Sequence, residues 1–254
     1  MVILIGGALG RMGRELAKAA AEANITVACG VDVAYTGQTM DFPMVKDYTA
    51  LTAEADVLID FSHADGLPHL LAYATRAQRP LVLCTTGYNE AEQATIAEAA
   101  RQIPILRSAN MSLGINVLQQ LASMAARALG DGYDVEIVEK HHRQKMDSPS
   151  GTALMLFDSV QSAKNGAYKP VYGRYGRSAK RQEDEIGIHA VRGGTVTGEH
   201  EVGFYGKGEE IILTHRAESR ALLAEGALRA AAFLVGKPAG QYSMHDVVAE
   251  MLAR

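Results

Sequence analysis

No stretch of this 254-residue chain approaches the roughly 18–20 consecutive apolar residues that a membrane-crossing helix needs, so a soluble globular protein is expected. A basic excess is missing as well. Against 25 lysines and arginines stand 29 aspartates and glutamates, a formal charge of −4, and this balance excludes nucleic acid as the main partner, because phosphate backbones require the opposite one. Cysteine is scarce: Cys29 and Cys84 both lie in apolar, strand-like runs, so buried thiols are expected rather than a disulfide. No metal-ligand spacing is found, and no metal site is expected. Internal repeats and low-complexity tracts are missing, which excludes a repeat array. The opening MVILIGG has neither a basic n-region nor a small-residue cleavage site, so no secretory signal is expected and the cytoplasm is the expected location.

What is present is organised in two textures. VILIG (Val2 to Gly6) is a short apolar run ending in glycine, and in the RMGRELAKAAAEA that follows, Met12, Leu16, Ala19, Ala20 and Ala23 fall at helical spacing. ITVACGVD, DVLIDFS, PLVLCTTG and IPILRSAN repeat the strand pattern up to Asn110, with helical stretches between the later ones. Apolar strands without clean alternation are covered on both faces, so this part is predicted to be a doubly wound α/β fold on a parallel sheet. Beyond Asn110 a long helical pattern leads to YDVEIVEKHH. From Glu185 onward, three strand-like segments joined by glycine-rich turns predict a mostly antiparallel sheet, and two helical segments close the chain. Two architectures predict two domains. The charged run GRYGRSAKRQEDE (Gly173 to Glu185) reads as a solvated loop.

GGALGRMG places Gly7, Gly10 and Gly13 at GxxGxxG spacing, directly after a strand and at the opening of a helix. Such a turn needs a permissive backbone, close approach of a pyrophosphate leaves no room for a Cβ, and the helix N-terminus offers free N–H groups to the anion. Asp32 closes the second strand, where a carboxylate accepts hydrogen bonds from a ribose diol. This makes a dinucleotide site of Gly7, Gly10, Arg11, Met12, Gly13 and Asp32; the bland alternative is a glycine-rich turn with a surface aspartate. Asp32 and the uncharged Val33 favour NADH over NADPH, although Arg11 and Arg14 are within reach of an adenosine phosphate. Thr85, Thr86 and Gly87, and then Ala109, Asn110 and Met111, end further strands, where open α/β sheets bind ligands. The alternative for these residues is strand ends and helix caps.

EKHHRQKMDSPSGTA (Glu139 to Ala153) gathers two histidines, an arginine, a lysine and a Ser-Gly-Thr turn. Pro149 marks a helix start, which puts Ser150, Gly151 and Thr152 in a first turn suited to a carboxylate, with Arg143 and Lys145 adding charge. Successive strand side chains point to opposite faces, so His141 and His142 take different roles, one exchanging a proton and the other binding. The alternative is a basic surface loop beside a capped helix.

This stretch resembles the signature of the 4-hydroxy-tetrahydrodipicolinate reductases (dihydrodipicolinate reductases). GALGRMGR, DFS, TTG, SANMSLGIN, VRGGTVTGEHEVGF and THRAESR extend the resemblance along the whole chain. It implies a dinucleotide-binding domain of residues 1–111 and 221–254, and a substrate-binding and oligomerisation domain of residues 112–220 with an open mixed sheet. It also implies a homotetramer and reduction of a cyclic dicarboxylate imine toward diaminopimelate and lysine, with hydride from NADH or NADPH. By matching position, His141 is implied as proton donor or acceptor with Lys145 its partner, and His142, Lys145, Ser150, Gly151 and Thr152 as holders of the substrate carboxylates. Cys84, where many members carry glycine, and Val33, where some carry arginine, are departures. Another nicotinamide-dependent dehydrogenase of amino-acid metabolism would lack the HH…K…PSGT cluster, and a nonenzymatic redox sensor would need no proton donor.

Overall fold

The computed structural model describes residues 1–164, 166 and 168–253; Asn165, Ala167 and Arg254, which fall within the expected domain ranges, lie outside the described residues. Two units divide the chain: Met1–Leu113 with Arg220–Arg254, and Gly114–Ser219.

The first unit is built on seven strands: β1 (Val2–Gly6), β2 (Thr26–Val31), β3 (Met44–Val45), β4 (Val57–Asp60), β5 (Leu81–Leu83), β6 (Pro104–Arg107) and β12 (Gly240–Tyr242). Their order is β12-β6-β5-β4-β1-β2-β3 and all pairings are parallel. The central strands are short and apolar throughout, β4 and β5 being buried at every residue, as a parallel sheet covered on both faces requires. One face packs Leu4, Leu58 and Leu81 against Leu70, Leu71 and Ile96, from the helices α2 (Leu67–Arg76) and α3 (Glu90–Ala99). The other packs Ile3, Ile5, Ile59 and Val82 against α1 (Arg11–Glu22), α6 (Ala221–Leu234) and α7 (Met244–Leu252). Gly226 permits close docking of α6, since a Cβ there would strike the Met111 carbonyl oxygen.

The second unit holds α4 (Leu113–Leu129, all but its first residue), β7 (Asp134–His141), α5 (Gly151–Ala163), β8 (Lys169–Val171), β9 (Glu185–Arg192), β10 (Gly198–Tyr205) and β11 (Glu210–Ala217). The sheet order is β11-β10-β7-β9-β8. β10 runs antiparallel to β7 and β11, whereas β9 is parallel to both β7 and β8. The sheet is therefore mixed, as the family resemblance implies, and this corrects the mostly antiparallel expectation drawn from short turns. β9 does not fold back on its predecessor but enters beside β7 after the helical excursion of α5, and β10 then returns on β7's far side. Val135, Ile137, Ile186, Ile188, Val202 and Phe204 form the inner face. Ala153, Leu156, Phe157 and Val160 of α5 cover it, spaced as one helical stripe, together with Ile115, Leu118, Ala122 and Ala126 of α4. The charged Gly173–Glu185 loop is only partly solvated: Arg174 and Arg181 fold back onto Glu136 of β7 at 2.8 and 3.2 Å.

Candidate active site

Simple alternation carries a charged pair into the core of the second unit. Val135, Ile137, Glu139 and His141 are the buried residues of β7, so a glutamate and a histidine two residues apart share the inward face. Register adds two more groups: Arg192 of β9 lies beside His141, and His200 of β10 opposite Glu139. The Glu139 carboxylate is wholly buried. Arg192 grips both its oxygens at 2.7 Å, His141 Nδ1 stands 2.6 Å from Oε2, and the Ser150 backbone N–H donates to Oε1 at 3.0 Å. Burial pushes the Glu139 carboxyl up, but Arg192, His141 and the Ser150 N–H outweigh burial and hold it below the ordinary glutamate value, hence ionised at neutral pH.

Burial, helped by the charges of Lys145 and Arg192, holds the His141 pKa below the ordinary histidine value although Glu139 raises it. A neutral imidazole against an ionised carboxylate carries its proton on Nδ1, which leaves the Nε2 lone pair available. Gly198 keeps space beside that atom, since a Cβ there would come within 3.1 Å of it. The His200 ring meets the His141 ring edge-on, centroids 5.1 Å apart, and its Nε2 is 3.1 Å from Ser150 Oγ. Burial, and then His141, push its pKa down to about 4.

Ser150 is the cap of α5, its Oγ accepting from the Ala153 N–H at 3.2 Å. The expected first turn is thus shifted by one residue: Gly151 opens the helix, and Pro149 precedes the cap, because Ser150 keeps the extended backbone that lets its hydroxyl reach back. Gly151 is exposed and Thr152 half-buried in the first turn. Lys145 Nζ contacts Asp147 Oδ1 at 2.8 Å, and Arg143 is exposed. Lys145 and Arg192 therefore each already hold a carboxylate, and the local excess of positive charge is smaller than the sequence implies. Buried nitrogens without a protein partner concentrate here. His142 Nδ1, Arg192 Nε, His200 Nδ1 and His215 Nδ1 are four of the five such side-chain nitrogens among the described residues. Unsatisfied buried nitrogens are costly, so this concentration is where a polar ligand finds partners.

In the first unit the glycine turn meets the sheet where strand order reverses, between β1 and β4. Gly7 has φ +70°, and a Cβ on it would stand 2.7 Å from the Phe61 carbonyl oxygen; a Cβ on Gly13 would strike the Gly7 carbonyl oxygen. Gly10 caps α1 with no side-chain hydrogen bond, which suits the helix N-terminus to a pyrophosphate. Arg11 is exposed, whereas Met12 packs partly against the core. Asp32 accepts from the Leu9 and Ala34 N–H groups, both at 2.9 Å, and so fixes the turn while lying at the end of β2. Val33 is 77% exposed. Thr85 donates to the buried Asp60 carboxylate at 2.8 Å, while Thr86 and Gly87 are exposed. A hollow of about 230 Å³ is lined by Ser62, His63, Cys84, Thr85 and Thr86. Ala109 is exposed, Asn110 accepts from the Ser112 N–H at 2.9 Å, and the Met111 side chain is buried in the core, so Met111 has only its backbone to offer a ligand.

Sequence reading gave no role to Glu139, Arg192, His200 or Asp60. For Glu139 the signal is its position two residues before His141 on a strand. For His200 it is a histidine on the apolar face of GEHEV, and the Arg192 link needs the β7/β9 register. Among the described residues no group of three or more His, Cys, Asp or Glu side chains is placed to hold a metal ion.

Residues 1–111 match the family model described as dihydrodipicolinate reductase, N-terminus, and residues 114–248 the one described as its C-terminus. A 4-hydroxy-tetrahydrodipicolinate reductase of Caldanaerobacter subterraneus subsp. tengcongensis is 48% identical over 97% of both chains. One from Clostridium tetani is 46% identical over 95% of this chain and 94% of that one. A solved structure of dipicolinate-bound dihydrodipicolinate reductase from Paenisporosarcina sp. TG-14 covers 96% of this chain and 97% of its own with a TM-score of 0.79; at 20% identity it speaks for the fold.

Proposed function

The chain belongs to the dihydrodipicolinate reductase family, and we propose that His141 is the general acid/base with which it reduces 4-hydroxy-tetrahydrodipicolinate to tetrahydrodipicolinate on the route to diaminopimelate and lysine. It is an NAD(P)H-dependent oxidoreductase. The conversion takes up a hydride and a proton and releases water. A bound dinucleotide supplies the hydride from nicotinamide C4. The residues suited to hold it are Gly7, Gly10, Arg11, Met12, Gly13 and Asp32, with Thr85, Thr86, Gly87, Ala109, Asn110 and the Met111 backbone.

The remaining tasks fall to the second unit. Lys145, His142, Ser150, Gly151 and Thr152 receive the two substrate carboxylates, a helix N-terminus and an ammonium being complementary to a dianion. Lys145 has three N–H donors, and the one carboxylate it holds, Asp147, is more than half exposed, so it can take a substrate carboxylate beside Asp147 or in its place. His141 exchanges the proton at Nε2. Its lowered pKa leaves it neutral in the free protein, and a dianion bound beside it favours the imidazolium. The acid thus forms when a substrate that needs a proton is present.

The observation that carries this reading is the Glu139–His141 pair at 2.6 Å, set beside the cap of α5. Its test is oxidation of NADH and, in parallel, NADPH by the purified protein, with substrate made in the cuvette from pyruvate and aspartate semialdehyde by their synthase. Rapid substrate-dependent oxidation is expected; none with either cofactor, in folded and dinucleotide-bound protein, overturns the reading. NADH is the proposed preference, supported by Asp32 with an exposed, uncharged Val33 beside it, and Val33→Arg is expected to improve use of NADPH. A homotetramer fits the exposed Val191 and Ile212 on the outer face of the five-stranded sheet. No helix among the described residues is long and apolar enough to cross a membrane; the cytoplasm is the proposed location, with no nucleic-acid or membrane partner.

A further inference from the structure

We propose that Glu139 is a positioning residue for this reaction: clamped by Arg192, its carboxylate fixes His141 in the tautomer that leaves Nε2 to exchange the proton, and through the Ser150 N–H it ties that histidine to the turn that receives the substrate. The inference rests on the assignment of His141 above and goes beyond it.

A carboxylate has about four lone-pair sites, and Glu139 has four donors on them: two from Arg192, one from His141 and one from Ser150. It is saturated and wholly buried, so no capacity is left for substrate and its effect on the reaction passes through its partners. A purely structural ion pair would be complete with the bidentate arginine. Here the other two bonds go to the proton-exchanging histidine and to the cap of α5. Arg192 donates further to the Asp147 carbonyl at 2.7 Å, which fixes the segment leading into Ser150. The end of β7, the end of β9 and the loop between β7 and α5 therefore meet on one carboxylate, and none can shift without disturbing His141. A second buried neighbour, His200, leans on the same Ser150 at 3.1 Å. The charged and titratable groups around His141 are Glu139 on its own strand, Arg192 on β9, His200 on β10 and Lys145 from the following loop. Of these, Glu139 alone is an anion, so it alone favours the imidazolium.

The experiment compares full-length wild type, His141→Gln, Glu139→Gln and Glu139→Asp in the coupled assay, with kcat followed against pH and the tautomer of His141 read by 15N-histidine NMR. For Glu139→Gln, kcat is expected to fall at least about ten-fold, the low end of what loss of an orienting partner behind a histidine costs. Dinucleotide affinity is expected to hold, the pH limb belonging to His141 to move to lower pH, and the Nδ1–H signature to be lost or mixed. Glu139→Asp keeps the charge and should recover part of kcat together with the wild-type limb. A wild-type limb, tautomer and kcat in Glu139→Gln would overturn the proposal while leaving His141 in place if His141→Gln is inactive. Full turnover in His141→Gln would overturn the reading of His141 and the proposal with it. Should Glu139→Gln fail to fold, Arg192→Lys keeps the charge balance but replaces the fork by a single donor. A mixed tautomer with a several-fold lower kcat is then expected, and an unchanged tautomer and kcat would overturn the clamp.

Discussion

Glu136 and Glu139 stand three residues apart on β7, on opposite faces of the sheet, and each collects arginine and histidine. Glu136 Oε2 lies 2.8 Å from Arg174 Nη1 and 2.7 Å from His189 Nε2, and its Oε1 lies 3.2 Å from Arg181 Nε. On both glutamates burial raises the pKa, and the cations bring it below the ordinary value. The pairs separate on what lies beyond them. Arg174 and Arg181 lead outward to Glu185 and Asp134 and fasten a loop. Arg192, His141 and Ser150 lead to a helix N-terminus, a second buried histidine and four unpartnered nitrogens. Exposure follows: the His189 side chain is 32% accessible and that of His141 10%. A carboxylate–histidine pair is therefore no mark of chemistry by itself; the donors that converge beside it make the difference.

The sharpest break of this comparison is to remove each histidine. His141→Gln is expected to lower kcat by roughly 10²–10⁴-fold, the usual share of a positioned proton-transfer group, with dinucleotide affinity unchanged, while His189→Gln should stay within about two-fold of wild type. Equal losses in steady-state assays would erase the distinction. Next in size is Lys145→Ala, which should raise the substrate KM by roughly 10–100-fold, the worth of a charged hydrogen bond, and lower kcat as well. The outer face should respond in stability instead. Glu136→Gln removes the shared partner of two arginines and a histidine, and a loss of about 1–3 kcal/mol, seen as a lower thermal midpoint with kcat retained, is expected.

Acid separates the two faces more gently. His200 titrates near 6.5 when unfolded and at about 4 when folded. Between these values the unfolded chain binds a proton that the folded one refuses. Stability is full above the unfolded value and falls as the pH drops through that window, by on the order of 2–3 kcal/mol. The lowered pKa values of His141 and His215 act in the same direction. Glu136 behaves otherwise: its pKa is depressed in the fold, so its stabilisation is complete above about 4.5 and is lost only as the pH falls through the lower folded value. Urea midpoints measured from pH 7 to pH 5 should fall less steeply in His200→Gln, whereas Glu136→Gln should leave that slope unchanged.

Much of this was legible in the residues, for physical reasons. β1, β2, β4, β5 and β6 announce themselves as apolar runs because a parallel sheet buries both faces. β3, β8 and β12 do not, being two or three residues long and at or near sheet edges, with Lys169 and Pro170 in one and Gly240 and Gln241 in another. Strand partners are illegible in the residue pattern where the chain travels far before pairing, which is why β9 running parallel to β7 does not follow from the turns, although the resemblance implies a mixed sheet. At the site, His141, Lys145 and Ser150 stood out because they crowd into one short stretch. Arg192 and His200 come to Glu139 from 53 and 61 residues away, and only register brings them there.

The closing helix α6 has a consequence in time as well as in space. It supplies Ala224, Ala227, Leu228, Ala230, Ala231 and Leu234 to the core that also holds Ile3, Ile5, Val57 and Val82, and β12 completes the sheet beside β6. On the ribosome, the strands that carry the glycine turn are made early, yet one face of their sheet is covered by α1 alone until α6 emerges. The second unit, continuous from Gly114 to Ser219, has all its strands before then. The part of the molecule made first is thus the last to be finished, and until then part of its apolar face is open to any chaperone that binds such surfaces.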